Sequence, residues 1–311
     1  MSGNRWPRCV LATAILISGT SAPAALPPGL VVHLDFDQIE GGRVPNNIAD
    51  AAPDGVVKEA RFVAVENFGQ AFFGRQDDEW SQYVEVADHA TLNAGAFTVS
   101  AWVCPRRLDI GGSIACKHDW LDGGARGFTL RTNFQNKLNF TVGAGGWISV
   151  SSDSFLQANT WVHAAGTFDG ETLRVYFNGI LEVSTKIPDN YNPSPYPMRV
   201  GHGAYGREKH RKFDGKIDDL IFWNRCLTPE ELDAVYLASR EGRPKPPTPD
   251  QIGALITKLA ADEFRERQAA RKAIIDLGPS VIPVLEEHIK SPDAEVLKSA
   301  RILIGRLAAE K

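Results

Sequence analysis

Long apolar runs, a basic excess and the short motifs of common hydrolases are all missing from this 311-residue chain. Beyond the first two dozen residues, no segment is apolar enough for long enough to cross a bilayer as a helix. Lys and Arg (34) are outnumbered by Asp and Glu (38), so neither nucleic acid nor an anionic membrane surface is an expected partner. There is no G-x-S-x-G and no H-E-x-x-H, which removes the nucleophile elbow and the zincin helix. His118, His202 and His210 stand at no zinc-ligand spacing.

The first two dozen residues are of another kind. Arg5 and Arg8 precede the apolar run Val10–Ile17, which gives way to the small residues Ser18–Ala22. That order is the order of a secretory signal peptide, and the run is too short to span a membrane. Ala22-Pro23-Ala24 supplies a cleavage site, so residues 1–24 are expected to be removed; the alternative is an uncleaved anchor. Cys9 lies before the apolar run, which argues against a lipid anchor there. A secreted, periplasmic or cell-surface location follows, and with it the possibility of disulfides. Cys104 and Cys116 flank the turn-like stretch 105–112 between two β-like runs, Phe97–Val103 and Ser113–Lys117. Read as antiparallel neighbours, those runs bring the two cysteines within bridging reach, with Cys226 left as a free thiol.

From Leu30 onward the period is two. Val32, Leu34 and Phe36 alternate with His33, Asp35 and Asp37, as in a half-buried strand. Further strand-like runs are Tyr83–Val86, Phe97–Val103, Gly127–Thr132, Lys137–Val142, Trp147–Ser151, Thr160–Phe168, Thr172–Phe177 and Gly215–Trp223. Asp169-Gly170 and Asn178-Gly179 separate neighbouring runs as type I′ hairpin signals. Many short strands without intervening helices predict an all-β antiparallel sandwich or barrel over residues 28–240. Thr228-Pro-Glu-Glu231 is a capping box that opens a helix carrying Leu232, Val235 and Tyr236. Residues 241–249 form a proline-rich linker, and residues 250–311 read at helical spacing as a small all-α unit.

Three stretches carry a resemblance. Thr160-Trp-Val-His-Ala-Ala-Gly-Thr-Phe-Asp-Gly170 leads into Leu173-Arg-Val-Tyr-Phe-Asn-Gly179. Phe213-Asp-Gly-Lys-Ile-Asp-Asp-Leu-Ile-Phe-Trp-Asn-Arg225 leads into Leu227-Thr-Pro-Glu-Glu-Leu232, and Phe97-Thr-Val-Ser-Ala-Trp-Val103 precedes both. With Tyr83-Val-Glu-Val86 and Met198-Arg-Val-Gly201, they resemble the laminin-G-like jelly rolls of the concanavalin A-like lectin and glucanase fold, in family order. The C-terminal stretch is similar to HEAT-like helical pairs, with Phe264, Arg267 and Ala270 in one motif and Leu277 to Leu285 in another. Two such pairs fall short of a free-standing solenoid, so a docking or assembly role is expected of them.

The resemblance implies that some relatives hold Ca²⁺ where first and last strands meet, which nominates Asp37, Asp218 and Asp219, with Asp35 close by. The alternative has Asp219 buried and satisfied by backbone N–H groups. Glucanases of this fold carry an E-x-D-x-E strand that aims its acids into one cleft. None occurs here, and Glu79, Glu85, Asp109 and Glu171 are scattered. Loop aromatics and their neighbours are the ligand-binding candidates: His118, Trp120, Trp147, Tyr191, Tyr196 and Tyr205. They could stack on a sugar ring, or simply lid the core. The basic run 207–212 suits an acidic glycan, or is a solvated loop. The expected function is therefore a non-catalytic module for carbohydrate or extracellular protein ligands, possible calcium included. The alternatives are a cell-surface scaffold that assembles through its helical tail, and a glycoside hydrolase-like enzyme.

Overall fold

The computed structural model describes residues 26–65, 69–75, 82–118, 124–188, 190–203, 211–240, 249–276, 285–286 and 294–309. Two antiparallel sheets form a sandwich of the jelly-roll kind. Sheet A holds β1 (Leu30–Leu34), β4 (Arg61–Ala64), β5 (Gln70–Gly74), β7 (Phe97–Pro105), β12 (Val162–Phe168), β13 (Thr172–Phe177), β14 (Ile180–Lys186) and β16 (Gly215–Trp223). Its order is β14-β13-β12-β7-β16-β5-β4, with β1 added to β16. Sheet B holds β2 (Arg43–Val44), β3 (Gly55–Lys58), β6 (Tyr83–Val86), β8 (Gly112–Lys117), β9 (Phe128–Thr132), β10 (Lys137–Gly143), β11 (Trp147–Phe155) and β15 (Met198–Val200). It runs β11-β10-β9-β8-β15-β6-β3-β2.

The inner faces are set by alternation. Phe97, Val99, Ala101 and Val103 of β7 face Phe128, Leu130, Leu138, Phe140 and Val142 across the sandwich, all buried in one core. β16 carries a bulge between Asp218 and Ile221, and Asp219 there has φ 45°. Before the bulge β16 pairs with β5, and after it with β1, on the side away from β7. β1 ends sooner than the alternation suggests. Val31 and Val32 are both buried at a register shift, and Phe36 has φ 59°, so Asp35 and Asp37 lie beyond the strand. The Asn178-Gly179 hairpin forms as expected, with φ values of 52° and 80°. At Asp169-Gly170 only the glycine has positive φ, and the Asp169 carboxylate accepts from the N–H groups of Glu171 and Thr172.

Helix α1 (Pro229–Ser239) starts at the expected capping box, where Thr228 and Glu231 exchange side-chain and backbone hydrogen bonds. Its Leu232 and Val235 cover Ala165, Tyr176, Ile221 and Trp223 on the outer face of sheet A. Tyr236 packs on Trp102, whose indole N–H donates to Ser239. Beyond it, α2 (Pro249–Thr257), α3 (Phe264–Asp276) and α4 (Ala294–Ala309) share a separate core of Ile252, Ile256, Leu259, Ala270, Ile274, Leu285, Val296, Ala300 and Leu303. Phe264, of the first helical motif, is exposed. Arg267 ties α3 to the preceding turn by donating to the carbonyls of Ala261 and Asp262. Leu277 and Ile282 of the second helical motif lie outside the described residues.

The expected Cys104–Cys116 bridge is absent. β7 and β8 are consecutive in the chain but belong to different sheets, so the stretch between them crosses the sandwich and makes no hairpin. Cys104 sits opposite Lys216, packed with Trp102 and Trp161 on the outer side of sheet A. Cys116 sits between Arg199 and Thr129 on the outer side of sheet B, donating to the carbonyl of His202. Sheets packed about 10 Å apart therefore separate the two residues, beyond the roughly 7 Å Cα reach of a disulfide. Cys104, Cys116 and Cys226 are all free, and burial pushes the Cys104 thiol up to about 11.

The crossing is held instead by Arg106. Its Nε and Nη2 donate to the two oxygens of the fully buried Asp214 carboxylate at 2.6 and 2.7 Å, and its N–H donates to the Asp214 carbonyl. Asp214→Ala should lower unfolding stability by about 2 kcal/mol in denaturant melts, since it strands a guanidinium that is two-thirds buried. Alkylation of unfolded protein without reductant should label Cys104 and Cys116 in full. Recovery of a linked peptide pair would contradict the topology.

Candidate functional site

Strand alternation sends every second side chain of sheet B away from the core, and there the residues turn polar. One row crosses six strands in register: Glu85, Arg199, Cys116, Thr129, Thr141 and Ser149. Beside it runs a second: Ser113, Arg131, Asn139 and Ser151. The rows are knitted together. Arg131 Nε and Thr141 Oγ1 both donate to Asn139 Oδ1 at 2.9 Å, and Asn139 Nδ2 donates to Ser151 Oγ and the Val150 carbonyl. Arg199 donates to Glu85 at 3.1 Å while its guanidinium lies 4.5 Å from the Tyr83 ring centre. Tyr83 in turn packs against His202, whose Nδ1–H donates to the Gly203 carbonyl.

At one end of this face, Trp147 begins β11 and stands half-buried, its ring 5.2 Å from His118 in an edge-on arrangement. His118 follows β8 and is 3% exposed. Burial, then the charges of Arg131 and Arg211, push its imidazole down to about 3, so it is neutral near pH 7. Burial likewise lowers His202. Lys117, wholly buried next to His118, reaches back under the rim. Its Nζ meets Asp88 at 2.7 Å, Asn93 at 2.8 Å and the Ser194 carbonyl, fixing two loops to β8.

Of the expected ligand-binding residues, His118 and Trp147 thus meet. Tyr191 does not join them; its ring packs on Phe97 and Phe168, each 5.4 Å away, as a lid on the core, and burial raises its phenol well above the ordinary value. Tyr196 is half-buried in the following loop, its N–H on Ser194. Trp120 and Tyr205 lie outside the described residues. Tyr83, Arg131, Asn139, Thr141 and Arg199 were missed from sequence, although period-two alternation within β6, β9, β10 and β15 marks each as facing outward.

The three carboxylates nominated for metal binding each have a partner. Asp37 accepts from the Gln70 N–H, Asp218 from the Asp219 N–H, and Asp219 meets His33 at 3.3 Å. Among the described residues no three Asp, Glu, His or Cys side chains group as around a metal, so Asp37, Asp218 and Asp219 are not brought into one cluster. Glu85 holds Arg199, Asp109 holds Asn136 and Glu182 holds Ser154. Arg199, Cys116, Thr129, Thr141, Ser113 and Asn139 are buried, so the groups of the two rows open to a ligand are Glu85, Ser149, Arg131 and Ser151, beside the half-buried Trp147.

A family model described as the concanavalin A-like lectin/glucanases superfamily matches residues 77–233, just over half of the chain. The chain belongs to this superfamily. Among solved structures, this superfamily member is similar to the binding domain of Paraclostridial Mosquitocidal Protein 1 (16% identity, TM-score 0.54), covering 67% of this chain and 52% of that one. It is similar also to domain 4 of AbnA, a GH43 extracellular arabinanase from Geobacillus stearothermophilus, solved with arabinotriose (18%, TM-score 0.53, 67% and 98% covered). A third is the binding domain of Botulinum Neurotoxin DC in complex with SialylT (14%, TM-score 0.53, 68% and 51% covered). The superfamily member spans about half the length of the toxin binding domains. At these identities the likeness is one of fold. No curated protein matches the chain in sequence.

The neutral, buried His118 makes acid stability a direct readout. Its folded pKa lies below the ordinary 6.5, so between those values only the unfolded chain binds the proton, and stability falls as pH drops from 6.5 toward 3. Denaturant melts should show that slope, amounting to a few kcal/mol at most, and His118→Asn should flatten it. An unchanged slope would contradict the burial.

Proposed function

We propose that this chain is an exported, non-catalytic recognition module that binds carbohydrate on the outer face of sheet B. The observation that carries the reading is the half-buried Trp147 set edge-on to a neutral His118, at the end of two rows of hydroxyl, amide and guanidinium groups. An aromatic ring beside fixed hydrogen-bonding groups suits a sugar, which has an apolar face and a rim of hydroxyls. The rows are already held by their own hydrogen bonds, so binding orders few side chains. Similar folds in domain 4 of the arabinanase and in the neurotoxin binding domain, solved with arabinotriose and SialylT respectively, support a binding role over a catalytic one. The engaged state of Glu85, Asp109 and Glu182 points the same way. Export rests on the signal-like order of residues 1–24.

Glycan-array screening of the full chain, followed by calorimetry on the best ligand, tests the proposal. Trp147→Ala should weaken that ligand tenfold or more, about 1.4 kcal/mol, while the variant stays folded at the temperature of the titration. Equal affinity in the variant, or a blank array, would overturn it. Calcium enters as an arm of the same titration: if it takes part in binding, chelator lowers both affinity and melting temperature.

A further inference from the structure

β11 runs from Trp147 to Phe155, so its ends stand about 26 Å apart at ~3.3 Å per residue. At the Phe155 end a cleft of about 390 Å³ opens between the end of β11, the start of β12 and the end of β13. Its walls include Phe155, Trp161 and Phe177, and its polar groups are Ser154, Gln157, Thr160 and Asn178; no lining residue carries a formal charge. The nearby Glu182 is engaged, accepting from both the N–H and the hydroxyl of Ser154, which staples β14 to β11.

The cleft is pre-shaped. Asn178 Oδ1 accepts the His163 N–H at 2.9 Å, the Asn178 N–H donates to the His163 carbonyl, and Asn159 N–H donates to the Pro105 carbonyl. One of its walls is an apolar side chain that folding leaves in water, Phe155 at 61% exposure, and Ile180, the cross-strand neighbour of Phe177, is 67% exposed. Large apolar groups exposed beside a formed cavity mark a place where something binds. The Lys137 ammonium lies 4.8 Å from the Phe155 ring centre on the rim, but no charge lines the cleft itself, where an ionic group would lose its hydration. A flat, uncharged, hydroxyl-bearing ring fits better, with its C–H face on an aromatic wall and its hydroxyls on the amides.

We propose that this cleft is a second binding site, separate from the Trp147 face, for the neutral end unit of an oligosaccharide. The module then grips one chain, or two, at both ends of β11. The test is side-chain NMR of the full-length chain titrated with neutral trisaccharides (cellotriose, xylotriose, maltotriose, arabinotriose) and with trigalacturonic acid. The Gln157 and Asn178 amides report the cleft, and the Trp147 indole N–H reports the face of the proposed function. At least one neutral trisaccharide should shift both amides, trigalacturonic acid should not, and Phe155→Ala should weaken that response tenfold or more. Phe134→Ala, an exposed aromatic in the neighbouring β9–β10 turn that does not line the cleft, should leave it within twofold. If the indole moves while the amides stay still up to about 10 mM sugar, the cleft proposal fails and the face stands. If the amides move and the indole never does, the reverse holds. An equal response to the acidic sugar would overturn the neutral assignment.

Discussion

Phe97 is the residue on which the two sheets meet. From β7 its ring lies 4.9 Å from Phe128 and 6.1 Å from Phe140 of sheet B, and 5.6–5.8 Å from Phe222 and Phe168 of its own sheet, with Tyr191 closing the end. Close-packed aromatic contacts of this kind fix the spacing and rotation of the layers, because no ring can move without displacing the rest. Once the inward positions are committed, the outward ones are committed too, since the strand period is two. The two outer faces are therefore the surfaces left for other work.

They are used differently. Sheet A spends much of its outer face on α1: Tyr176, Ile221 and Trp223 lie under the helix, and Trp102 and His163 pack against Tyr236. Sheet B has hydroxyls, an amide and arginines on its outer face, joined across the strands. A polar group taken from water is costly unless bonded, and cross-strand bonds such as Arg131–Asn139–Thr141 remove that cost while holding each group in place. Rigidity at the face and at the Phe155 cleft follows from packing and hydrogen bonds already required for folding.

Much of the fold was legible in the sequence. Val99, Ala101 and Val103 announce β7 by alternation, Asn178-Gly179 announces its hairpin, and Thr228 with Glu231 announces α1. What was not legible depended on sheet membership. The run after Cys104 looks like a tight connection between neighbours, and only pairing across the sequence, β7 with β12 and β16, reveals that the chain changes sheets there. Short strands such as Arg43–Val44 and Arg61–Ala64 carry too few residues to show a period. Tyr191 read as an exposed loop aromatic because sequence does not tell a lid from a platform. The polar rows of sheet B were hidden for a related reason: each strand contributes one or two members, and register alone lines them up.

The central claim is that the molecule holds a glycan and leaves it unchanged. Prolonged incubation of the full chain with a bound oligosaccharide, followed by mass spectrometry of the recovered sugar, tests it most directly. Saturable binding and recovery of the intact oligosaccharide are expected. Shortened chains accumulating above a protein-free control would contradict it.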